Sequence, residues 1–461
     1  MARPSLSVFL NERLVVITPV GFKKVAAEAA NNAVSVSPEF LITSGKNGII
    51  VGPIISNEIG ICRYCLIARF YSNGFSDDFS DELVVPIDVV RQYGNIVTKN
   101  NFNIFKRFSF CARQRAEPLE TVLPLPECGN NCSGNLGGTQ FGWEAAVSEN
   151  CGLVHSIHQL PGFSNEKSAF LSVGCRTDTF MSSRANNIGM SCHPKPETAK
   201  KIAVFESVER YSCHVDAAIR PSQFSHLPDG IWCSELDDVE QRAPNERSLP
   251  FEASAPILAN NFGSAAGSTI RFAVASAFSE LIEKEIVAIS WSNKRSVSIR
   301  GYCWTRSMVE RTLNFVMVGK AFEKNVILCY AIGEWPYVSF GFGVGTSVRE
   351  AAEKAEREFL ITEHLLLKFR EIDRDLIGDR LWQFANNAAA ASQFFSWVAA
   401  LTDPAKTPLN ANALSSTFWK IDRTTADVAA CGVHVFWVIG DKTRSLGSHK
   451  QQVPPYLCPR A

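Results

Sequence analysis

Two stretches of this chain that read as helix each hold a pair of glutamates three residues apart. One is Glu206-Ser-Val-Glu209-Arg210 and the other is Glu280-Leu-Ile-Glu283-Lys284. Residues at that spacing share one helix face, so each pair aims two carboxylates at one place. The second pair constrains the fold more. It lies within Ile270 to Trp291, a stretch apolar on nearly every side, and such a helix is expected to be buried. Glutamate is almost never fully buried without a partner. A divalent cation is the obvious one, since Mg²⁺ takes carboxylate and phosphate oxygens. The bland alternative is a solvated helix face. It suits Glu206 and Glu209 taken alone, because Lys200, Lys201 and Arg210 supply surface partners.

A chain of 461 residues with 46% hydrophobic residues has ample material for a large core split over two or three domains. Lys plus Arg equals Asp plus Glu at 46 each, so no global charge argues for nucleic acid or an acidic membrane. No uncharged apolar window is long enough for a membrane span. The first ten residues lack a secretory apolar core. The 14 cysteines are too sparse for a disulfide scaffold, and a reducing cytoplasm with buried thiols is expected.

The expected class is α+β. Residues 1–140 read as a small α/β region. Phe9-Leu10 and Leu14 to Ile17 are predicted strands, Lys23 to Asn32 a short helix, and Phe40 to Val51 a hairpin turning at Ser44 to Gly48. Residues 115–140 are rich in Pro, Gly, Asn and Cys and read as a linker or a metal-bound loop. Residues 141–461 read as one large domain with three prominent helices. The first spans about Glu197 to Ser212, with Ile202, Phe205 and Val208 on its core side. The second is Ile270 to Trp291. The third opens at a capping box, Ser347-Val-Arg-Glu350, and continues through Ala351, Ala352, Ala355 and Phe359. The Pro-rich tail Val453 to Ala461 is expected to be extended.

Cys62-Arg-Tyr-Cys65 has zinc-knuckle spacing, and Cys128-Gly-Asn-Asn-Cys132 is a second, looser pair. Four thiolates from two segments would close a tetrahedral structural Zn²⁺ site. A redox Cys-x-x-Cys is the alternative, but no thioredoxin-like context surrounds it. There is no Walker-type loop. Gly341-Phe-Gly343-Val-Gly345 and Gly263-Ser-Ala-Ala-Gly267-Ser268 precede helices and could receive an anion at a helix start, though tight turns explain them equally well. No Ser-His-Asp constellation can be assembled from the eight scattered histidines, though His193 and His214 flank the first helix and could approach the site.

In order and spacing, the three helices resemble the YcaO superfamily over roughly residues 170–461. Ala203 to Tyr211 resembles its first Glu-x-x-Glu-Arg helix. Gly263 to Thr269 followed by Ser279 to Lys284 resembles its Ala-Gly turn and second Glu-x-x-Glu-Arg. Gly343 with Ala351 to Glu358 resembles its last turn and helix. The resemblance implies that Glu206, Glu209, Glu280 and Glu283 hold Mg²⁺–ATP, with Arg210, Ser268, Lys284 and Glu358 completing the nucleotide site. Val51-Gly-Pro53, Cys62, Cys65, Arg69 and Pro124 to Cys128 resemble a segment of peptide cyclodehydratases near the end of their ThiF-like portion. That branch ends in a Pro-x-Pro-x-Pro tail entering the active site, which would make Pro459 and Ala461 the catalytic end of this chain.

The implied function is an ATP-dependent cyclodehydratase that turns Cys, Ser or Thr of a ribosomal precursor peptide into thiazolines or oxazolines. The implied partners are the precursor peptide, a leader-binding ThiF-like protein and a flavin-dependent azoline dehydrogenase, in a homodimer or larger complex. This chain departs from the pattern at Leu457, where the tail has its middle proline, and at Lys284, where arginine is usual. Ile361 and Glu363 stand where glutamine and arginine are common. These departures motivate a rival reading as a non-catalytic scaffold subunit. A thioamide- or amidine-forming YcaO enzyme is a third.

Overall fold

The computed structural model describes residues 61–74, 120–126, 128, 132–136, 140–149, 151–161, 167–178, 187–219, 225–226, 263–307, 312–333, 336–368, 386–416 and 418–440. It also gives strand backbone at 6–10, 13–19, 39–45, 48–55 and 106–111. Lys23 to Asn32 and the tail with Pro459 and Ala461 lie outside the described residues.

The N-terminal elements are β1 (Leu6–Leu10), β2 (Arg13–Pro19), β3 (Glu39–Gly45), β4 (Gly48–Ile55), α1 (Arg63–Ser72), β5 (Lys106–Cys111) and β6 (Glu120–Thr121). The strands form one sheet in the order β1-β2-β3-β4-β5-β6. β3 and β4 pair antiparallel down to Gly45 opposite Gly48, which is the hairpin read from the sequence. β2 and β3 run parallel.

Next come β7 (Val154–Leu160), β8 (Ser168–Gly174), β9 (Ile188–His193), α2 (Pro196–Ile219), β10 (Ser225–His226), β11 (Ser264–Gly267) and α3 (Ile270–Asn293). They are followed by β12 (Cys303–Ser307), β13 (Thr312–Ala321), β14 (Lys324–Ile332), β15 (Val338–Gly345) and α4 (Val348–Lys368). The last described elements are α5 (Ala388–Thr402), β16 (Phe418–Asp422), α6 (Ala426–Ala430) and β17 (His434–Gly440). The strands group as β7-β8-β9, β12-β13-β14-β15 and β10-β16-β17-β11, each antiparallel throughout. The class is α+β, as the sequence implies.

Glycine sets how the site helices sit. A Cβ at Gly189 would meet Ala203 O at 2.1 Å, so β9 and α2 touch backbone to backbone. A Cβ at Gly343 would meet Ala351 O at 2.1 Å and Ala355 N at 2.3 Å. The 341–345 glycines are therefore not a phosphate loop. Gly341 and Gly343 lie inside β15 and let α4 approach it, and all eight residues of β15 are buried. Ala351, Ala355 and Phe359 fill that contact, as expected.

The helix readings change in three respects. Ile202 is 45% exposed, not core. The close contact at Gly189 turns Ala203, Val204 and Ser207 inward and leaves Ile202 on the outer face. The start of α3 is open, with Ile270 and Phe272 exposed, and burial becomes continuous only from about Leu281. At the start of α4, Glu350 N donates to Ser347 Oγ at 3.1 Å, but the return bond goes elsewhere. Thr346 N and Oγ1 each donate to Glu350 Oε2 at 2.8 Å, so the box closes one residue earlier than the Ser-x-x-Glu pattern implies.

Two large cores follow. One gathers α1, Val122, Leu123, Leu125, Cys128, Cys132, Leu136, α2 and the α6–β17 region, and the other packs α3 between β13–β15 and α5. Gly343→Ala is expected to destabilise the protein by about 1–3 kcal/mol through overpacking at the β15–α4 contact. Chemical denaturation measures it.

Candidate active site

α2, α3 and α4 bring their acidic faces to one place. Glu206 Oε2 accepts from Met190 N at 2.7 Å, and its other oxygen pairs with Arg210 one turn on. Glu209 accepts from Ser264 Oγ, which fixes it to β11. Glu283 is 7% exposed and pairs with Lys284 Nζ at 3.1 Å. Ser268 is exposed in the turn between β11 and α3, where Thr269 caps the helix by accepting from Phe272 N at 3.2 Å.

Proton affinities report the convergence. Burial pushes Glu280 up to about 7, with Glu283 and Glu206 adding repulsion and Lys284 and Lys354 opposing it. Burial also pushes Glu358 of α4 up to about 7, helped by Glu206 and Glu283. Glu209 is raised well above the carboxylate range by burial, Glu280 and Glu206, against Ser264 and Arg210. Burial opposes the charge of Lys284, but Glu283, Glu280 and Glu358 outweigh it and raise its pKa. Glu209, Glu280 and Glu358 keep water contact although surrounded by protein, as groups lining a recess do. Such clusters are what divalent cations satisfy, and those cations can in turn carry a polyphosphate.

The sequence reading missed Lys354. It sits one helical turn before Glu358, and that spacing is the signal for it. It also missed Ser264. Nothing in the sequence shows which β11 residue faces α2. Ile361 packs with Ala169, Cys192 and Leu365 in a small core rather than joining the acidic groups, and Glu363 is also buried. His193 turns to its own loop, its Nδ1 accepting from Lys195 N at 3.0 Å.

The four cysteines meet as a second candidate centre. Cys62 caps α1, Cys65 sits in its first turn, and Cys132 opens a short 3₁₀ turn. Their sulphurs all lie within 4.8 Å of one another, and Cys62 Sγ is 3.9 Å from Cys128 Sγ. A tetrahedron with Zn–S bonds of about 2.3 Å has edges of roughly 3.8 Å. Backbone N–H groups point at three of the sulphurs: Cys62 N at Cys132 (3.1 Å), Leu125 N at Cys65 (3.3 Å) and Cys65 N at Cys62 (3.4 Å). Such donors favour thiolate, the form that binds metal. The donor set and geometry fit Zn²⁺. Among the described residues the carboxylates form no group this tight.

A carboxyl raised in the folded state binds more protons folded than unfolded between its usual 4.5 and about 7. Stability from that group therefore falls as pH rises through this window. With divalent cations chelated, Glu280→Gln should be more stable than the unsubstituted protein at about pH 8, and the advantage should vanish below about pH 5. Thermal unfolding at both pH values checks it.

Residues 239–447 match the family model described as YcaO cyclodehydratase, ATP- and Mg²⁺-binding. That span contains α3 and α4 but begins after α2. The fold is similar to a heterocyclase solved in complex with substrate and cofactor, at TM-score 0.59 and 13% identity, over 92% of this chain and 75% of that one. It is also similar to the heterocyclase TruD (TM-score 0.48, 14% identity, 92% and 73% covered). A further similarity is to YcaO from Methanopyrus kandleri bound with AMPPCP and Mg²⁺ (TM-score 0.40, 13% identity, 65% and 89% covered). No curated protein matches the sequence. No helix among the described residues is long and apolar enough to cross a membrane. Over residues 239–447 this chain therefore resembles YcaO cyclodehydratases, and its fold is similar to that of a heterocyclase.

Proposed function

We propose that this protein is an ATP-dependent cyclodehydratase acting on Cys, Ser or Thr residues of a ribosomally made precursor peptide. The observation that carries the reading is the recess where α2, α3 and α4 hold Glu206, Glu209, Glu280, Glu283 and Glu358 against their mutual repulsion. Glu206, Glu209, Glu280 and Glu283 would hold Mg²⁺, and Arg210, Ser268, Lys284 and Glu358 would complete the nucleotide site. ATP supplies the phosphoryl group that converts a carbonyl oxygen into a leaving group. The substrate's own side chain is the nucleophile. It loses its S–H or O–H proton as it attacks the preceding carbonyl carbon and closes the ring. The resulting oxyanion takes the γ-phosphoryl group as ADP leaves, and phosphate then departs while the amide nitrogen loses its proton and the C=N bond forms.

Spread charge on a transferring phosphoryl group calls for positioned metals and bases rather than an enzyme nucleophile. Raised carboxyls such as Glu280 and Glu358 shed their protons when cations arrive, which couples occupancy to charge. Pro459 and Ala461 would close the site from the tail. A ThiF-like protein would deliver the peptide, and a flavin-dependent dehydrogenase would oxidise the rings. Cys62, Cys65, Cys128 and Cys132 would hold a structural Zn²⁺. This would place the protein with the ring-forming rather than the thioamide- or amidine-forming enzymes.

The scaffold reading has one observation in its favour: Ile361 is core, where glutamine is common in the family. Calorimetry separates the two, because a scaffold shows no Mg²⁺-dependent nucleotide binding even with partners present. With partners, ATP and precursor peptide, mass spectrometry should show loss of one water per ring. Glu280→Ala should slow that loss at least about a hundredfold. Unchanged cyclisation would remove the site assignment. Cys62→Ser and Cys128→Ser should each lower bound zinc, read by elemental analysis.

A further inference from the structure

A single buried cation joins the cysteine cluster to the carboxylate recess. Arg69 stands four residues after Cys65 on α1, one turn further along the same face. It is fully buried and spends its donors on separate segments. Nε donates to Leu123 O at 3.0 Å, Nη2 to Pro124 O at 3.0 Å, and Nη1 to Tyr211 Oη at 3.1 Å. Nη2 also pairs with Asp427. The backbone that Arg69 grips at Leu123 and Pro124 runs directly into Leu125, whose N–H points at Cys65 Sγ.

On the far side, Tyr211 Oη donates to Asp427 Oδ2 at 2.7 Å. Tyr211 follows Arg210 and lies two residues after Glu209 on α2. Asp427 belongs to α6, which leads into β17. β17 pairs with β11, whose Ser264 holds Glu209. α2 is tied to the same region again, since Ser212 Oγ donates to Arg423 O at 2.6 Å and accepts from Thr425 N at 3.1 Å. Two routes therefore run from Arg69 to Glu209, one along α2 and one through β17 and β11.

We infer that Arg69, Tyr211 and Asp427 are positioning residues that make the carboxylate site depend on metal occupancy of the cysteine cluster. The inference rests on the proposed readings of both as metal sites. A cation at the four sulphurs fixes the first turn of α1, and a helix moves as a unit. Arg69 cannot shift alone, because each lost partner would leave a buried polar group unsatisfied. A displacement of α1 passes to Tyr211 and Asp427, and so to the helix bearing Glu206 and Glu209.

The test compares the full chain loaded with zinc and the chain stripped by a chelator that is then removed. Two readouts are taken: hydrogen exchange of α2 and α4, and calorimetric affinity for Mg²⁺ with a non-hydrolysable ATP analogue. Stripping should speed exchange in α2 but not in α4, and should weaken nucleotide binding about tenfold. By linkage, the nucleotide should tighten zinc binding by the same factor. Tyr211→Phe keeps the ring but removes the hydroxyl relay, and should cut this coupling below about threefold while still binding zinc.

Unchanged α2 exchange on stripping overturns the inference. So does an equal rise in α2 and α4, which would be a general loss of folding. Full coupling in Tyr211→Phe, or failure of the chain to bind zinc, also overturns it. Faster α2 exchange with no nucleotide binding in either state upholds the coupling and refutes the ATP-dependent function. Nucleotide bound equally in both states, with α2 exchange unchanged, does the reverse.

Discussion

The fully buried pair of Arg69 and Asp427, bridged by Tyr211, is the constraint on which the rest of this structure hangs. Its members come from α1, α2 and α6 and are separated by as many as 358 residues in sequence. Burying both charges costs several kcal/mol per ion before they pair. The pair persists because the surrounding carbonyls and the tyrosine hydroxyl satisfy the remaining donors. Removing one partner of such a pair typically costs about 3–5 kcal/mol, since the other charge is left stranded. The segments meeting there have one arrangement that satisfies all of them. A second buried pair, Arg423 with Asp216 at 2.8 Å, fixes α2 to the segment after β16 in the same way.

Against that rigid frame, the acidic recess is an energetic liability. Burial and mutual repulsion raise three of its carboxyls, opposed by Lys284, Lys354, Arg210 and the Ser264 hydroxyl. A fold under selection for stability alone would not gather such groups. Binding sites commonly hold this kind of local cost, which the rest of the protein offsets. Here the offset comes from apolar packing. α3 carries Glu280 and Glu283 on the helix that also places Phe278, Leu281, Ile282 and Ile286 in the core. The same rigid helix supplies both the driving force and the strain, so the carboxylates cannot relax by moving away.

Much of the fold class was legible in the sequence. Short apolar runs marked the N-terminal strands, and a capping box followed by an alanine-rich run marked α4. The capping serine of α4 was legible too, but its partner was not, because the competition between Ser347 N and Thr346 N depends on how the chain leaves β15. Ile202 misled for a similar reason. Apolar residues sit on more than one face of α2, and the choice of face is made by Gly189, on another element. The glycines of β15 read equally as an anion loop or a packing surface until α4 is seen lying on them.

The sequence alone determined which chemistry was available: glutamates at i and i+3 on two helices, cysteine pairs at zinc-knuckle spacing, and no phosphate loop or nucleophilic triad. Those are local facts, set by helix geometry and residue type. Only the tertiary structure decided that Lys354 joins the glutamates while Ile361 does not. Only it showed that Ser264 holds Glu209, and that an arginine beside the cysteines reaches the tyrosine beside the glutamates. Spacing along a helix fixes a face, but what that face meets depends on contacts between segments hundreds of residues apart. Those contacts are chosen by the packing and charge pairing of the whole chain.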